Sequence, residues 1–575
     1  MSPSPLKALR DGATELTDTV IHTPFGNTES TPSDAGVSLR AAGMPQNPGP
    51  SHMETPETPE TQLDKTSRFS TKQQPPFMDD AAEDKSAVAI GVSGVSGVSI
   101  SVNGFVSNET EGLAESTAIE TEGVAGVSGS SPEYVPLGPY MSSEEGLFYI
   151  PPESSTSPLF LSSALKVVAM TRSADSSQWG LLVEVEDPDG YPHRVTLPKE
   201  KIGKGNGDEI ISLLMSLGAT VSTRRANRGH LIEYLAQVTV PKRLTAVSST
   251  GWHGDDYVTS NKVFSREDNS GKVFSGVSAA VAYRTRGTLE EWKREVGNLA
   301  VGNSRAMLAL GAAFAAPLLR RLGISGGGFH IHGASSTGKT SLTMLAATVY
   351  SDQSFVQTWR ATSNGLEGVA ASRNDALLIL DEIGQVDPKE AGAVAYMLAN
   401  GEGKARASRD GSARPVVRFR VMFLSTGESS LADRIGEDKS SRARPMAGQE
   451  IRLLDVPADT GKHGAFEKLH NHETGAAFAD HIKRASAEVY GTAFEAFVQR
   501  LVQMSQSEIE ELKSKLRERT ADFRRDYDGG QVQRAAERFA AACVAAEVAA
   551  EQGVAPWTAQ DAIWGIGTCF EAWVA

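Results

Sequence analysis

The eight residues GASSTGKT, Gly333 to Thr340, constrain this 575-residue chain more than any other part of it. They fit G-x-x-x-x-G-K-[ST] without deviation and stand in the required setting. Phe329 to His332 reads as a short strand before them and Lys339 to Tyr350 as a helix after. Two glycines let the backbone curl until several N–H groups face one anion, and the helix starting at Lys339 adds its positive end. The predicted phosphate cradle is Gly333, Ala334, Ser335, Ser336, Thr337, Gly338, Lys339, Thr340 and Ser341. In it Lys339 meets the β- and γ-phosphates of ATP as a point charge, and the Thr340 hydroxyl ligates Mg2+.

A second feature agrees. Ala376 to Leu380 is an apolar run ending in Asp381 and Glu382, 42 positions beyond Lys339. A buried strand closing on two carboxylates is costly unless they have a task. Asp381 is placed to hold Mg2+ through water, and Glu382 to polarise the water attacking the γ-phosphate. Arg418 to Ser425 reads as a further strand whose end, Ser425 and Thr426, is expected between the two phosphate-binding strands. Thr426 is the candidate hydroxyl near the γ-phosphate; a plain strand-ending turn is the other reading.

Composition matters once it is divided along the chain. The net charge is −15, yet residues 1–140 hold 19 acids against 7 bases, while the remaining 435 hold 52 against 49. Acidity therefore belongs to the first part and does not argue against nucleic-acid binding by the rest. That first part, rich in Ser, Thr, Pro and Gly, has too few bulky apolar residues to offset the entropy of ordering. No apolar run approaches membrane-spanning length, and the opening residues lack a secretory apolar core. Two cysteines, Cys543 and Cys569, exclude a disulfide framework and a four-cysteine zinc site. The expectation is a cytoplasmic protein with no membrane partner.

The coarse layout is a disordered acidic tail (1–137), an α+β N-terminal domain (138–286), an α/β P-loop NTPase core (287–460) and a C-terminal helical domain (461–575). Leu165 to Thr171, Gly180 to Glu186 and Pro192 to Leu197 read as strands, with Asp187 to Gly190 as a turn. Leu289 to Leu322 reads as strongly helical, and the chain as helical from Pro457 to its end. Trp252 and His253 read as a packed tryptophan beside a turn, with ligand contact the alternative.

GKARASRDGSARPVVRFR, from Gly403 to Arg420, reads as a basic hairpin turning at Asp410 and Gly411. Lys404, Arg406 and Arg409 are the candidate contacts to a DNA backbone, since tip cations neutralise phosphates without needing base identity. The other reading is an edge hairpin guarded by charge. Of the later arginines, which include Arg434, we take Arg442, Arg444 and Arg452 as candidates to reach a neighbouring subunit's nucleotide. His470, His472 and His481 share one segment and read as solvated histidines rather than metal ligands.

From about Leu165 to Trp573 the chain resembles the domain of unknown function 927 family, P-loop ATPases of mobile elements that are often joined to primase modules. The residues carrying the resemblance are Gly251-Trp252-His253-Gly254, Gly333 to Thr340, Asp381 to Gln385, Tyr396 to Gly401, Gly403 to Arg406 and Gly448 to Arg452. The layout is also similar to superfamily-three helicases, with phosphate loop, acidic pair, hairpin and sensor inside the 94 residues from Gly333 to Thr426. Those helicases carry Asn at the sensor, where this chain has Ser425 and Thr426. The resemblance implies an ATP- and Mg2+-dependent helicase or translocase on DNA, single-stranded by preference. It also implies a homo-oligomeric ring, a hexamer by analogy, and a primase or replication-initiation partner. The alternatives are a nucleotide-switched DNA loader and a regulatory or defence ATPase that unwinds nothing.

Overall fold

The computed structural model describes residues 138–152, 157–267, 270–276, 283–406, 416–438, 452–524 and 529–575. The acidic first part, the Asp410–Gly411 turn, Arg409, Arg442 and Arg444 lie outside them.

Short strands with aromatic and branched side chains begin the described chain. β1 (Tyr140–Ser143), β2 (Gly146–Tyr149) and β3 (Leu159–Ser162) form an antiparallel sheet. The sequence pattern did not single these strands out, since each is four residues long. β4 (Leu165–Arg172), β5 (Gly180–Glu186) and β6 (Pro192–Pro198) match the expected strands. Helices α1 (Lys199–Ile202), α2 (Asp208–Ser216) and α3 (Arg225–Gln237) follow. β7 (Arg243–Val247) then adds parallel to β4. After the small antiparallel sheet of β8 (Gly251–His253), β9 (Asp256–Val258) and β10 (Val263–Phe264), β11 (Lys272–Phe274) completes a mixed sheet ordered β11-β7-β4-β5-β6.

The stretch expected to be one long helix is two. α4 (Leu289–Glu295) opens with a capping box between Thr288 and Glu291. A 3-10 turn, Gly297–Ala300, and Gly302 at φ 79° interrupt it before α5 (Ser304–Leu322). α5 is apolar on nearly every side and buried almost throughout, as befits a central helix. Pro317 within it removes the N–H that Ala313 O would accept. Tyr350 supplies the substitute, its hydroxyl donating to Ala313 O at 2.8 Å.

Around α5 lies a five-stranded parallel sheet. Its strands are β12 (Gly327–His332), β13 (Gln357–Thr358), β14 (Ala376–Asp381), β15 (Val421–Gly427) and β16 (Leu453–Pro457), in the order β13-β14-β15-β12-β16. β12, β14 and β15 are continuous apolar runs because both faces are covered. The connecting helices are α6 (Lys339–Ala347), α7 (Ser363–Ser372), α8 (Pro388–Asn400) and α9 (Leu431–Gly436). α8 starts with Asp387 as cap and Pro388 in its first turn, and stops at Gly401, φ 71°.

After β16 the chain does not turn helical at once. Residues 458–474 run as a loop, then α10 (Gly475–Glu488), α11 (Thr492–Gln503), α12 (Gln506–Arg524), α13 (Gly530–Glu551) and α14 (Ala559–Val574) complete the fold. The alanine-rich α13 packs on α5 and its face is almost entirely buried.

Candidate functional site

Parallel strands bring their C-terminal ends to one edge, and loops leaving that edge are where such sheets build sites. Here His332 leads into Gly333, Asp381 into Glu382, and Thr426 into Gly427, on adjacent strands. Register places Ile331 beside Thr426 and Leu380 beside Ser425. β15 thus lies between the strand of the Gly333–Thr340 loop and that of the acidic pair, as the sequence led us to expect.

The Gly333–Thr340 loop takes its shape from three left-handed positions, Gly333 (φ 152°), Ser336 (φ 63°) and Gly338 (φ 99°). A side chain at Gly338 would come within 2.7 Å of the Phe466 ring, so this position requires glycine for space as well as conformation. The loop is bolted from outside, with Thr337 O accepting the Ala465 N–H at 2.8 Å. Lys339 is buried, and its Nζ donates to Gly333 O and Ala334 O, each at 2.7 Å. The ammonium is thereby held within the curl of backbone that would surround a phosphate. Ala334, Ser335 and Ser336 are exposed, as is Thr340 at the start of α6. Ser341 is buried instead, its hydroxyl on Ala479 O at 3.4 Å.

Thr426 organises the acidic pair. Its hydroxyl donates to Asp381 Oδ1 and accepts the Glu382 N–H at 3.3 Å. Glu382 itself has φ 60° and ψ 81°, a conformation that costs a non-glycine residue on the order of 1–3 kcal/mol and clusters at working sites. Its Oε1 accepts the Gly384 N–H at 3.1 Å. The exposed Thr340 hydroxyl and the Asp381 carboxylate are hard oxygen donors, a set that suits Mg2+ rather than a soft metal.

Ser425 does not join the site. It is fully buried, accepting from Trp359 Nε1 at 2.9 Å and sharing a 2.8 Å bond with His330 Nδ1. His330 Nε2 bonds Ser429 O at 2.9 Å, so a polar chain crosses the sheet beneath the site. Burial, foremost, pushes the His330 pKa down to about 4, which makes the neutral ring with Nε2 as donor the consistent assignment.

One part of the site escaped the sequence reading. A cleft of about 520 Å³ opens beside Ser336, Thr337 and Gly338, walled by Asp459, Gly461 to Gly464, Phe466, Gly475 and Ala479. Its loop is clamped to the start of α5. Arg305 Nε donates to Pro457 O at 2.9 Å, and Asn303 Oδ1 accepts the N–H groups of Glu467 and Lys468, each at 2.9 Å. The paired glycines Gly461 and Gly464 were the available signal.

The basic segment lies at the other end of the sheet, at the start of β15. Its arms pair as a hairpin: Gly403 donates its N–H to Val417 O and Phe419 to Gly401 O, each at 2.9 Å. Lys404 is exposed. Arg406 is not a free cation, because it grips the nearly buried Glu367 carboxylate with bonds of 2.9 and 2.7 Å. Arg452 also stands at that end, stacked 4.2 Å over Tyr396 and donating to Asn400 Oδ1 at 2.9 Å. It is a strand's length from the Lys339 of its own chain.

Trp252 is packed, as the sequence reading favoured, with Nε1 donating to Pro317 O at 2.7 Å. His472 and His481 lie with ring centroids 4.8 Å apart. Among the described residues no group of three or more His, Cys, Asp or Glu could hold a metal ion. No helix among them is long and apolar enough to cross a membrane.

With this geometry in place, the likeness to other proteins has a structural meaning. Residues 140–418 match the family model described as domain of unknown function (DUF927). The match includes the loop and the acidic pair and ends before Thr426. No curated protein matches in sequence. Among solved structures, "SCCmec type IV Cch - active helicase" aligns with TM-score 0.56 and 17% identity, over 72% of this chain and 75% of that one. At that identity the two share a fold. A second structure, of the NrS-1 C-terminal region, overlaps at TM-score 0.27 with 9% identity, over 60% of this chain and 68% of that one, below the level of a shared fold.

Proposed function

We propose that the chain is an ATP-dependent DNA helicase or translocase, acting in the replication of a phage, plasmid or integrated element. Mg2+-ATP is hydrolysed at the subunit interfaces of a cytoplasmic ring. The observation carrying this reading is the buried Lys339 ammonium inside a left-handed glycine loop, on the same sheet edge as Asp381 and Glu382. The fold shared with a structure described as an active helicase adds to it. Residues 287–460 are the motor, 138–286 an accessory module and 461–575 a helical module.

Each residue then has a task. The N–H groups from Ala334 to Thr337 face phosphate oxygens, and Lys339 neutralises the β- and γ-phosphates. Thr340 and Asp381 hold Mg2+, which supplies charge neutralisation on the phosphates when bound. Glu382 takes the proton of the attacking water, and Thr426, near the γ-phosphate, orients the Asp381 carboxylate and holds the Glu382 backbone. Lys404 and Arg409 contact the DNA backbone. Arg442, Arg444 or Arg452, each placed outside its own nucleotide site or beyond the described residues, serves the neighbouring subunit. A replication-initiation or primase protein is the fitting partner.

The test is ATP hydrolysis by the full chain with and without single-stranded DNA, followed by displacement of a labelled strand. We expect DNA to stimulate turnover and the strand to be released, and Lys339→Ala to abolish hydrolysis with an unchanged melting curve. Stimulation without displacement would favour a loader. Absence of nucleotide binding and hydrolysis under all conditions would overturn the reading.

A further inference from the structure

The loop that orients Glu382 is held by a residue from another element. Ile383–Gln385 forms a single 3-10 turn, and its Gly384 N–H is the donor to Glu382 Oε1. The direction of that carboxylate therefore depends on where Gly384 sits. On the outer side of the turn, Arg434 of α9 donates through Nη2 to Gly384 O at 2.7 Å and also to Val386 O, while Nε reaches Val386 O at 3.1 Å. Nη1 pairs with Glu437. The Arg434 side chain is 16% exposed, so these contacts are sheltered.

α9 is itself fixed in place. Ser430 and Asp433 form a capping box, and Leu431 donates its N–H to Asp455 Oδ1 at 3.3 Å. The preceding Ser429 carbonyl is the one bonded by His330. A planar guanidinium can span two carbonyls two residues apart; an ammonium has no such fork.

We propose that Arg434 is a positioning residue for Glu382: by gripping the Gly384 and Val386 carbonyls, it fixes the N–H that aims the carboxylate at the attacking water. The proposal rests on the reading of this site as one that hydrolyses ATP. The described contacts of Arg434 are with Gly384, Val386 and Glu437 and not with the Gly333–Thr340 loop, so its loss should act on the chemical step and not on nucleotide affinity.

The experiment measures steady-state hydrolysis by the full chain, affinity for a fluorescent ATP analogue, and thermal melting. Arg434→Ala should lower kcat by about tenfold, a fraction of what a general base contributes, with KM and analogue affinity held within about twofold. Arg434→Lys should recover at most part of the loss. Gly384→Ala tests the same link without touching Arg434, since its methyl would stand 2.8 Å from Glu382 Oε1, the movable end of a side chain. Its kcat should fall in the same way. Adding Arg434→Ala to Glu382→Asp should bring no further loss.

Wild-type kcat in Arg434→Ala or in Gly384→Ala overturns the proposal, as does a fall in kcat matched by equal falls in affinity and melting temperature. If Arg434→Ala does not fold, Gly384→Ala decides. A wild-type chain that binds nucleotide without hydrolysing it removes the reading of Glu382 and the proposal with it, a different result from hydrolysis indifferent to Arg434.

Discussion

At the residue scale the surprise is His330. In the sequence it is one letter of a short apolar strand; in the fold it links Trp359 and Ser425 to the Ser429 carbonyl, and through that to the helix of Arg434. Burial is the main cause of its depressed pKa, about 4, with His332 and Lys339 adding to it and the Ser429 bond opposing it. An unfolded histidine titrates near 6.5. The folded chain therefore declines a proton that the unfolded chain accepts, so this contribution is intact above about pH 6.5 and is lost as pH falls towards 4. We expect the loss to amount to roughly 2 kcal/mol at pH 5. Urea midpoints at pH 7 and pH 5 should separate in the wild type and separate less in His330→Asn. Equal separation would assign the pH dependence to other groups. By contrast, the curled glycine loop before Lys339 and the strand ending at Asp381 and Glu382 were legible from sequence, because each is set by neighbours in the chain.

At the scale of elements, the strands carrying the site were legible because continuous apolar runs leave few alternatives. Boundaries failed where one residue decides. The expected helix from Leu289 to Leu322 breaks at Gly297 and Gly302, and a side chain at Gly297 would press within 2.8 Å of Pro556, a neighbour far along the chain. The basic hairpin shows what charge alone leaves open. Lys404 and Arg406 look equivalent in sequence, yet Arg406 neutralises Glu367, whose side chain is 3% exposed. We expect Arg406→Ala to destabilise the chain by about 2 kcal/mol, the order of leaving a buried carboxylate short of partners. Lys404→Ala should leave the melting temperature alone but weaken single-stranded DNA binding and reduce its salt slope by about one. Fluorescence anisotropy across a salt series, beside melting curves, separates the two; a Lys404→Ala slope equal to wild type would remove Lys404 from the DNA surface.

At the scale of the whole molecule, the Gly251–Gly254 motif is a joint between the β-rich N-terminal part and the parallel sheet. Gly251, at φ 92°, lies so close to Asp375 and Asn374 that a Cβ would meet Asp375 Oδ2 at 2.6 Å. Trp252 donates its N–H to Asp375 Oδ2 at 3.1 Å, and Arg321 lies 4.0 Å over its ring. Gly251→Ala should destabilise the chain by about 3 kcal/mol through strain and overpacking, read as a lower melting temperature; an unchanged melt would show the joint to be dispensable. By itself the sequence determined the Gly333–Thr340 glycine loop, the acidic pair, the apolar strands beneath them and the uneven spread of charge, since each depends on neighbours in the chain or on a fixed period. Only the tertiary structure decided that Arg406 is committed to Glu367, that Ser425 faces the interior, that residues 459–466 wall the site, and that Arg434 reaches the loop of Glu382. Those outcomes depend on contacts between residues tens of positions apart, and no local pattern records which partner a side chain will meet.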